Sequence, residues 1–437
     1  MTDAIPTRYS IKTAKALAAF AVLAVAAGCG DGSAPDVTRA ATPAPALDAT
    51  MQDGTQSVLI EGLLNRRSVL QPGPMRDVAG AVMDANARAA EADLRAAVLR
   101  SEARALNWLP TLGPQVSLTS LGAVVTSLVV NQAIVDYGAR RAERDFARYD
   151  VEVAAVALAE DSNARVLQAL DLYLRAQQAR ARAAVARDGL QTLEHFAWVM
   201  GERVNAGISD RADLAVVTQR QAQMRSDMEA DLETATSAMR ELQAMSARDL
   251  SGTTGLSPLA APSPTAVALS VMKARAESER AVAGARSARA GFLPGLSLGG
   301  DVTNGGGVGL TAGAGQALGL GTGAAIRAVE AERTAAAARV GQQEEQAART
   351  IAALEGELAS LRRQQTEARR LADQAAANYD LFAEQQRAGQ RGVPETVGVF
   401  ETRIRAERAA VEIGFDIALL ELRIAAELGT LVDGDRI

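Results

Sequence analysis

The chain has one cysteine and one histidine in 437 residues. Those two side chains are its whole stock of soft metal ligands and good nucleophiles, so no zinc site and no nucleophile–base pair can be assembled from them. Aromatic residues make up only 3% of the sequence, although apolar residues reach 48%, much of it alanine. A core of Ala, Leu and Val with few rings suits thin helix pairs rather than a thick globule. Lysine is scarce too. The basic residues are nearly all arginine, scattered among acids along helical stretches, and the net charge is −6. No basic patch with interleaved aromatics is present, which argues against nucleic acid as a partner. Carboxylates are plentiful but alternate with arginines as solvated i,i+4 partners. These absences point away from an enzyme and away from resident cofactors or metals. His195, in Leu193-Glu194-His195-Phe196-Ala197-Trp198, lies in a locally apolar helical stretch and is expected to be packed or interfacial.

The N-terminus carries a processing pattern. Arg8, Lys12 and Lys15 give a positive n-region, Ala16 through Ala27 a short apolar run, and Ala26-Ala27-Gly28 a small-residue close before Cys29. The run is too short to span a bilayer, so it reads as a removable signal. Its close resembles a bacterial lipobox, with Ala26 where leucine is usual. The resemblance implies a lipoprotein signal peptide over residues 1–28 and an N-terminal lipid on Cys29; an ordinary signal peptide with an incidental cysteine is the alternative. Gly30 stands where an inner-membrane retention signal would place Asp, which favours the outer membrane. Residues 29–56, rich in Gly, Ser, Ala, Pro and Thr, are expected to form a flexible lipid-anchored tether.

The rest of the chain is one plan written twice. Trp108-Leu109-Pro110-Thr111-Leu112 returns as Phe292-Leu293-Pro294-Gly295-Leu296, and Gln132-Ala133-Ile134 as Gln316-Ala317-Leu318, both 184 residues later. Asn205-Ala206-Gly207 returns as Arg387-Ala388-Gly389 after 182. Each copy opens with an Ala/Arg/Glu-rich helical run, about 78–106 and 264–290, the second expected to start with Pro264 in its first turn. Strand pairs follow at about 111–136 and 295–320. Gln115 to Leu121 and Val308, Leu310 and Ala312 alternate apolar with small polar side chains, which suits a wall between lipid and water, with soluble hairpins as the alternative. The strands themselves lack a Tyr/Trp girdle. Very long proline-free helices come next, about 139–204 and 324–386, each roughly 100 Å at 1.5 Å per residue. Tip loops at 205–213 and 387–395 lead into return helices. Their apolar stripes are Leu214, Val217, Gln221, Met224 and Met228, and Val397, Phe400, Ile404, Val411 and Phe415, the second interrupted at Glu407-Arg408. Such seams mark antiparallel coiled-coil hairpins. The domain reading is therefore repeat 1 over 57–247, a linker over 248–263 and repeat 2 over 264–437.

Helix, strand pair, long helix, tip and return helix, written twice behind a signal, resembles the TolC-like outer-membrane efflux protein family over about residues 75–430. Three motifs carry it: the Leu-Pro-x-Leu opening of the strands, the Gln-x-hydrophobic…Gly exit (Gln132 to Gly138, Gln316 to Gly321), and the Ala-Gly tip followed by an acidic residue. The resemblance implies a mainly α fold with a small β part and a homotrimer, in which four strands from each of three chains close a twelve-stranded β-barrel continuous with an α-helical tunnel. It implies an outer-membrane exit channel of a tripartite efflux pump or a type I secretion system. Its partners would be a periplasmic adaptor (membrane fusion) protein, an inner-membrane pump or ABC transporter, and outer-membrane lipid. Gly207 and Gly389 would turn the periplasmic tips. Asp213 and Arg391 match positions of a closing ion-pair network, and Glu395 an acidic position lining the entrance. Gln386 departs from the family pattern, which has an aromatic hydroxyl there. The alternatives are a periplasmic adaptor or a structural coiled-coil lipoprotein, with the tip residues as solvated caps.

Overall fold

The structure is a computed structural model that describes residues 57–85, 89–118, 124–301, 308–316 and 319–436. The signal, Cys29 and the tether lie outside the described residues, as do Ala317 and Leu318 of the second Gln-x motif. The described residues open with three helices: α1 (Val58–Leu64), α2 (Pro74–Met83) and α3 (Ala89–Ala105). Ser57 caps α1, its Oγ accepting from the Ile60 amide at 3.2 Å. The single helix expected over 78–106 is thus two. α2 turns inward and buries Met75 and Val78 through Val82, whereas α3 follows the next long helix. Asp84, just beyond α2, takes ion pairs from Arg436 at 2.6 Å and Arg248 at 3.3 Å, which anchors the break from outside the helix.

Strands β1 (Thr111–Leu118) and β2 (Val124–Val135) follow α3, and then α4 (Ala139–Asn205) and α5 (Arg211–Met245) form a hairpin. The same order returns in α6 (Leu269–Gly291), β3 (Pro294–Asp301), β4 (Val308–Ala314), α7 (Thr322–Arg387) and α8 (Val393–Glu427). α6 does not start at Pro264. Residues 263–266 make a turn, with the Ala266 amide on the Ser263 carbonyl at 3.0 Å, and the helix begins at Leu269. The prolines that do open helices are Pro74 and Pro394.

α4 and α7 run for 67 and 66 residues, each roughly 100 Å of helix. α4 is the central strut, packing on α3, α5, α6 and α8, while α7 leans on α6 and α8. α7 buries only Ala336, Ala347 and Ala372, so most of its surface is bare in the single chain. The larger core gathers α2, the strand-side half of α4, the end of α5 and the chain's C-terminal turn around Leu63, Val78, Tyr173 and Leu422. The Tyr173 hydroxyl donates to the Gly255 carbonyl at 2.7 Å, and burial pushes its pKa up to about 12. A second core lies toward the tips, among α4, α5 and α8. The C-terminal segment then clasps α1: Val69 N donates to Thr430 O at 2.8 Å and Gly434 N to Arg66 O at 3.0 Å. Arg66 is buried between them, donating to the carbonyls of Leu428 and Val267, and desolvation lowers its pKa to about 10.

The four strands form one antiparallel sheet in the order β1-β2-β3-β4, which leaves β1 and β4 as edges. Leu112 pairs with Val130, Leu298 with Gln132 and with Leu310, and Gly300 with Val308. One slip in register falls between Ala133 and Val135.

Candidate channel wall and tip

A strand's side chains alternate between faces, so this register sorts the sheet. Leu112, Val130, Leu296, Leu298, Val308, Leu310 and Ala312 share one face, with Gln132 the polar member at its helix-side end. Thr111, Gly113, Asn131, Ser297, Gly299, Gly309, Thr311 and Gly313 share the other with Val129 and Ala133, and there the Ser297 and Thr311 hydroxyls hydrogen-bond at 2.8 Å. The apolar face is uncovered: Leu112, Val308 and Leu310 are 66%, 76% and 62% exposed.

The sheet-to-helix junctions carry the rings that the strands lack. Trp108, just before β1, and Tyr137, just after β2, are both exposed. Gln132 ties the junction, its Nε2 donating to the Trp108 carbonyl at 2.9 Å. Asp136 turns the chain into α4, its carboxylate accepting from Gly138 N at 3.0 Å and Arg140 N at 3.1 Å. Tyr137 and Gly138 take positive φ there, 49° and 83°. An expectation confined to the strands missed this pair, because both rings stand two or three residues outside them.

At the first tip Gly207 adopts φ 72°, and the Ile208 amide reaches back to the Arg203 carbonyl at 2.8 Å, which closes the end of α4. Asp210 caps α5 by accepting from Ala212 N at 3.2 Å. Asp213 sits in the first turn of α5, where a carboxylate suits the helix dipole. At the second tip Gly389 adopts φ 75°, with Gln390 N on Gln385 O at 2.9 Å. Arg391 is held by three neighbours of its own hairpin: an ion pair to Glu395, a bond to Gln385 Oε1 at 3.0 Å, and the Phe382 ring 4.5 Å from its guanidinium. The structure therefore joins Arg391 to Glu395 but, among the described residues, does not pair either with Asp213. Gln386 contributes only its carbonyl to the turn, accepting from Gly389 N at 3.0 Å. Phe382 is the aromatic partner of the arginine instead.

His195 is exposed rather than packed. It stacks on the exposed Trp198 at 6.1 Å between ring centroids, while Phe196, beside it, faces the core and meets Phe400. An i,i+3 ring pair on one helix face is legible in the sequence, but which face the partners cover is not.

No protein-family model and no curated protein sequence matches the chain. Solved structures do. A membrane protein from Pseudomonas aeruginosa aligns at TM-score 0.73 and 18% identity over 92% of this chain and 98% of that one. The outer-membrane channel OprN aligns at TM-score 0.71 and 19% identity, again over 92% and 98%. The open state of the Neisseria gonorrhoeae MtrE outer membrane channel aligns at TM-score 0.65 and 17% identity over 90% and 99%. The chain has the TolC-like outer-membrane channel fold. Within the TolC-like fold, the strand pairs and the tips are the two ends of each helical hairpin, and the residues singled out above fall at one end or the other.

Proposed function

We propose that this chain is one of three identical subunits of an outer-membrane exit channel, a passive conduit across the periplasm. The observation that carries the proposal is the bare, two-faced sheet with both edges unpaired. In water, exposed leucines and open strand edges invite aggregation; in lipid, unpaired backbone is not tolerated at all. Closing four-stranded sheets from three chains into one barrel satisfies both demands. The Leu112–Leu310 face then meets lipid, and the Thr/Ser/Asn/Gly face lines the bore. Trp108 and Tyr137 stand at headgroup depth on the helix side, as rings do at membrane boundaries. The bare face of α7 is covered by a neighbouring chain in the helical tunnel.

On this reading residues 57–247 and 264–437 are two copies of one unit joined by 248–263, and Cys29 carries the lipid. The tips meet a periplasmic adaptor, which connects the duct to an inner-membrane pump or ABC transporter in a tripartite efflux pump or a type I secretion system. Three copies of the Arg391–Glu395 pair surround the entrance, and each carboxylate favours cations there once it is freed from its arginine. The test is planar-bilayer conductance of the detergent-purified protein, after its mass is checked. Discrete, cation-preferring openings from a trimer support the duct; a monomer or dimer without conductance removes it. In the same assay Arg391→Ala is expected to raise single-channel conductance by freeing the tip, with Asp213→Ala beside it. Unchanged conductance in both would leave these residues as caps.

A further inference from the structure

At one level of the hairpins the larger apolar side chains give way, and of the apolar residues on α4 only Ala179 and Ala183 stay buried. On α4 the larger core ends at Ala176 and the tip-side core begins at Ala186. Between them, Gln178 and Arg182 face a polar layer drawn from three helices. Arg182 reaches Asp231 of α5 at 2.8 Å and Glu412 of α8 at 3.1 Å. Asp231 also accepts from Arg408 of α8 at 2.6 Å, and Gln178 donates to Asp416 of α8 at 3.3 Å. Asp231 is only 6% exposed. This level lies roughly 20–40 Å up the helices from the tips, counting 1.5 Å per residue.

Replacing a buried carboxylate and its partners by packed apolar side chains is often neutral or stabilising, whereas removing one partner strands the charge. Stability alone does not call for the layer; a fixed alignment of one hairpin against the other does. An apolar seam lets helices slide, but two guanidinium groups converging on one carboxylate allow a single register. Tipward of the layer the contact is smaller and apolar: Leu193, Phe196 and Met200 against Val217, Val397 and Phe400. Gly189 brings the helices close there, where an added Cβ would lie 2.7 Å from Met224 Sδ.

We propose that the Arg182–Asp231–Arg408 cluster pins the second hairpin's return helix to the first hairpin, and that Asp231 is a positioning residue for the entrance. Below the pin the hairpins move as arms, and above it they stay fixed. The proposal rests on the duct reading. The test compares wild type, Asp231→Asn, Asp231→Glu and Arg408→Gln in the full-length protein, by hydrogen–deuterium exchange and single-channel recording. Asp231→Asn is expected to speed exchange on the order of tenfold in 186–205 and 393–404, the scale of a lost charge-assisted bond. Residues 57–83 should be unaffected and the open probability should rise. Asp231→Glu should restore both readouts, and Arg408→Gln, which leaves Arg182 in place, should fall between. Exchange that rises equally in 57–83, or rises nowhere, overturns the pin. Faster tip-side exchange with unchanged open probability overturns the positioning role. A wild-type protein that never conducts sinks the duct reading instead, and the exchange contrast still decides whether the pin exists.

Discussion

Gly434 sits where a side chain has no room: an added Cβ would press on the carbonyl oxygens of Leu63 and Leu64, backbone atoms that cannot swing aside. Gly434→Ala is expected to cost about 1–3 kcal/mol, seen as a lower thermal midpoint and as faster proteolysis of the C-terminal clasp. Glu152 is buried, with the Ser57 hydroxyl donating to it at 2.8 Å, and burial raises its pKa. Its folded form therefore binds a proton more readily than its unfolded form. The stability linked to it is fully present below the ordinary carboxylate value and is lost as pH rises through the raised one. Glu152→Gln should flatten that stretch of the unfolding-midpoint profile. Gly207 and Gly389 were legible in the sequence because an Ala-Gly pair ending a long helix demands positive φ. The partners of Arg391 were legible only in part: Glu395 is four residues on, but Phe382 and Gln385 come from across the turn. Asp231 was not legible at all, since its arginines lie on two other helices, one of them 177 residues away.

At the scale of elements, alternation and period alone placed the strands and the long helices, because each carries its own signal over many residues. The break between α2 and α3 carried none. Beside it Asp84 is held by Arg248 and Arg436, which come from distant parts of the chain. The interruption of the α8 stripe at Glu407-Arg408 was visible in the sequence, while its meaning required α5. α8 stays a continuous helix there, and Arg403 and Glu407 pair along it at 2.7 Å. The sheet's two faces make a paired prediction. Leu310→Arg, on the apolar face, is expected to cost up to about 2–4 kcal/mol of insertion, falling toward zero near an interface. It should shift the protein out of the membrane fraction on flotation. Thr311→Arg, one residue on, should insert normally and move ion selectivity toward anions. Equal loss in both variants would mean that the faces do not divide lipid from water.

At the scale of the whole molecule, the proposed duct rests on what one chain lacks: a closed sheet and a cover for α7. If the barrel is the anchor, Cys29→Ala should abolish acylation yet leave the trimer in the outer membrane after a carbonate wash. Release of that variant into the soluble fraction would show that the lipid does the holding. The two unpaired edges also turn protein number into a condition of folding. On the duct reading a solitary chain leaves β1 and β4 unsatisfied, so its native form would exist only from the moment three chains meet. Dilution then acts as a denaturant. If the duct reading holds, the supply of new copies, more than the stability of any one of them, would decide how many working channels a cell obtains.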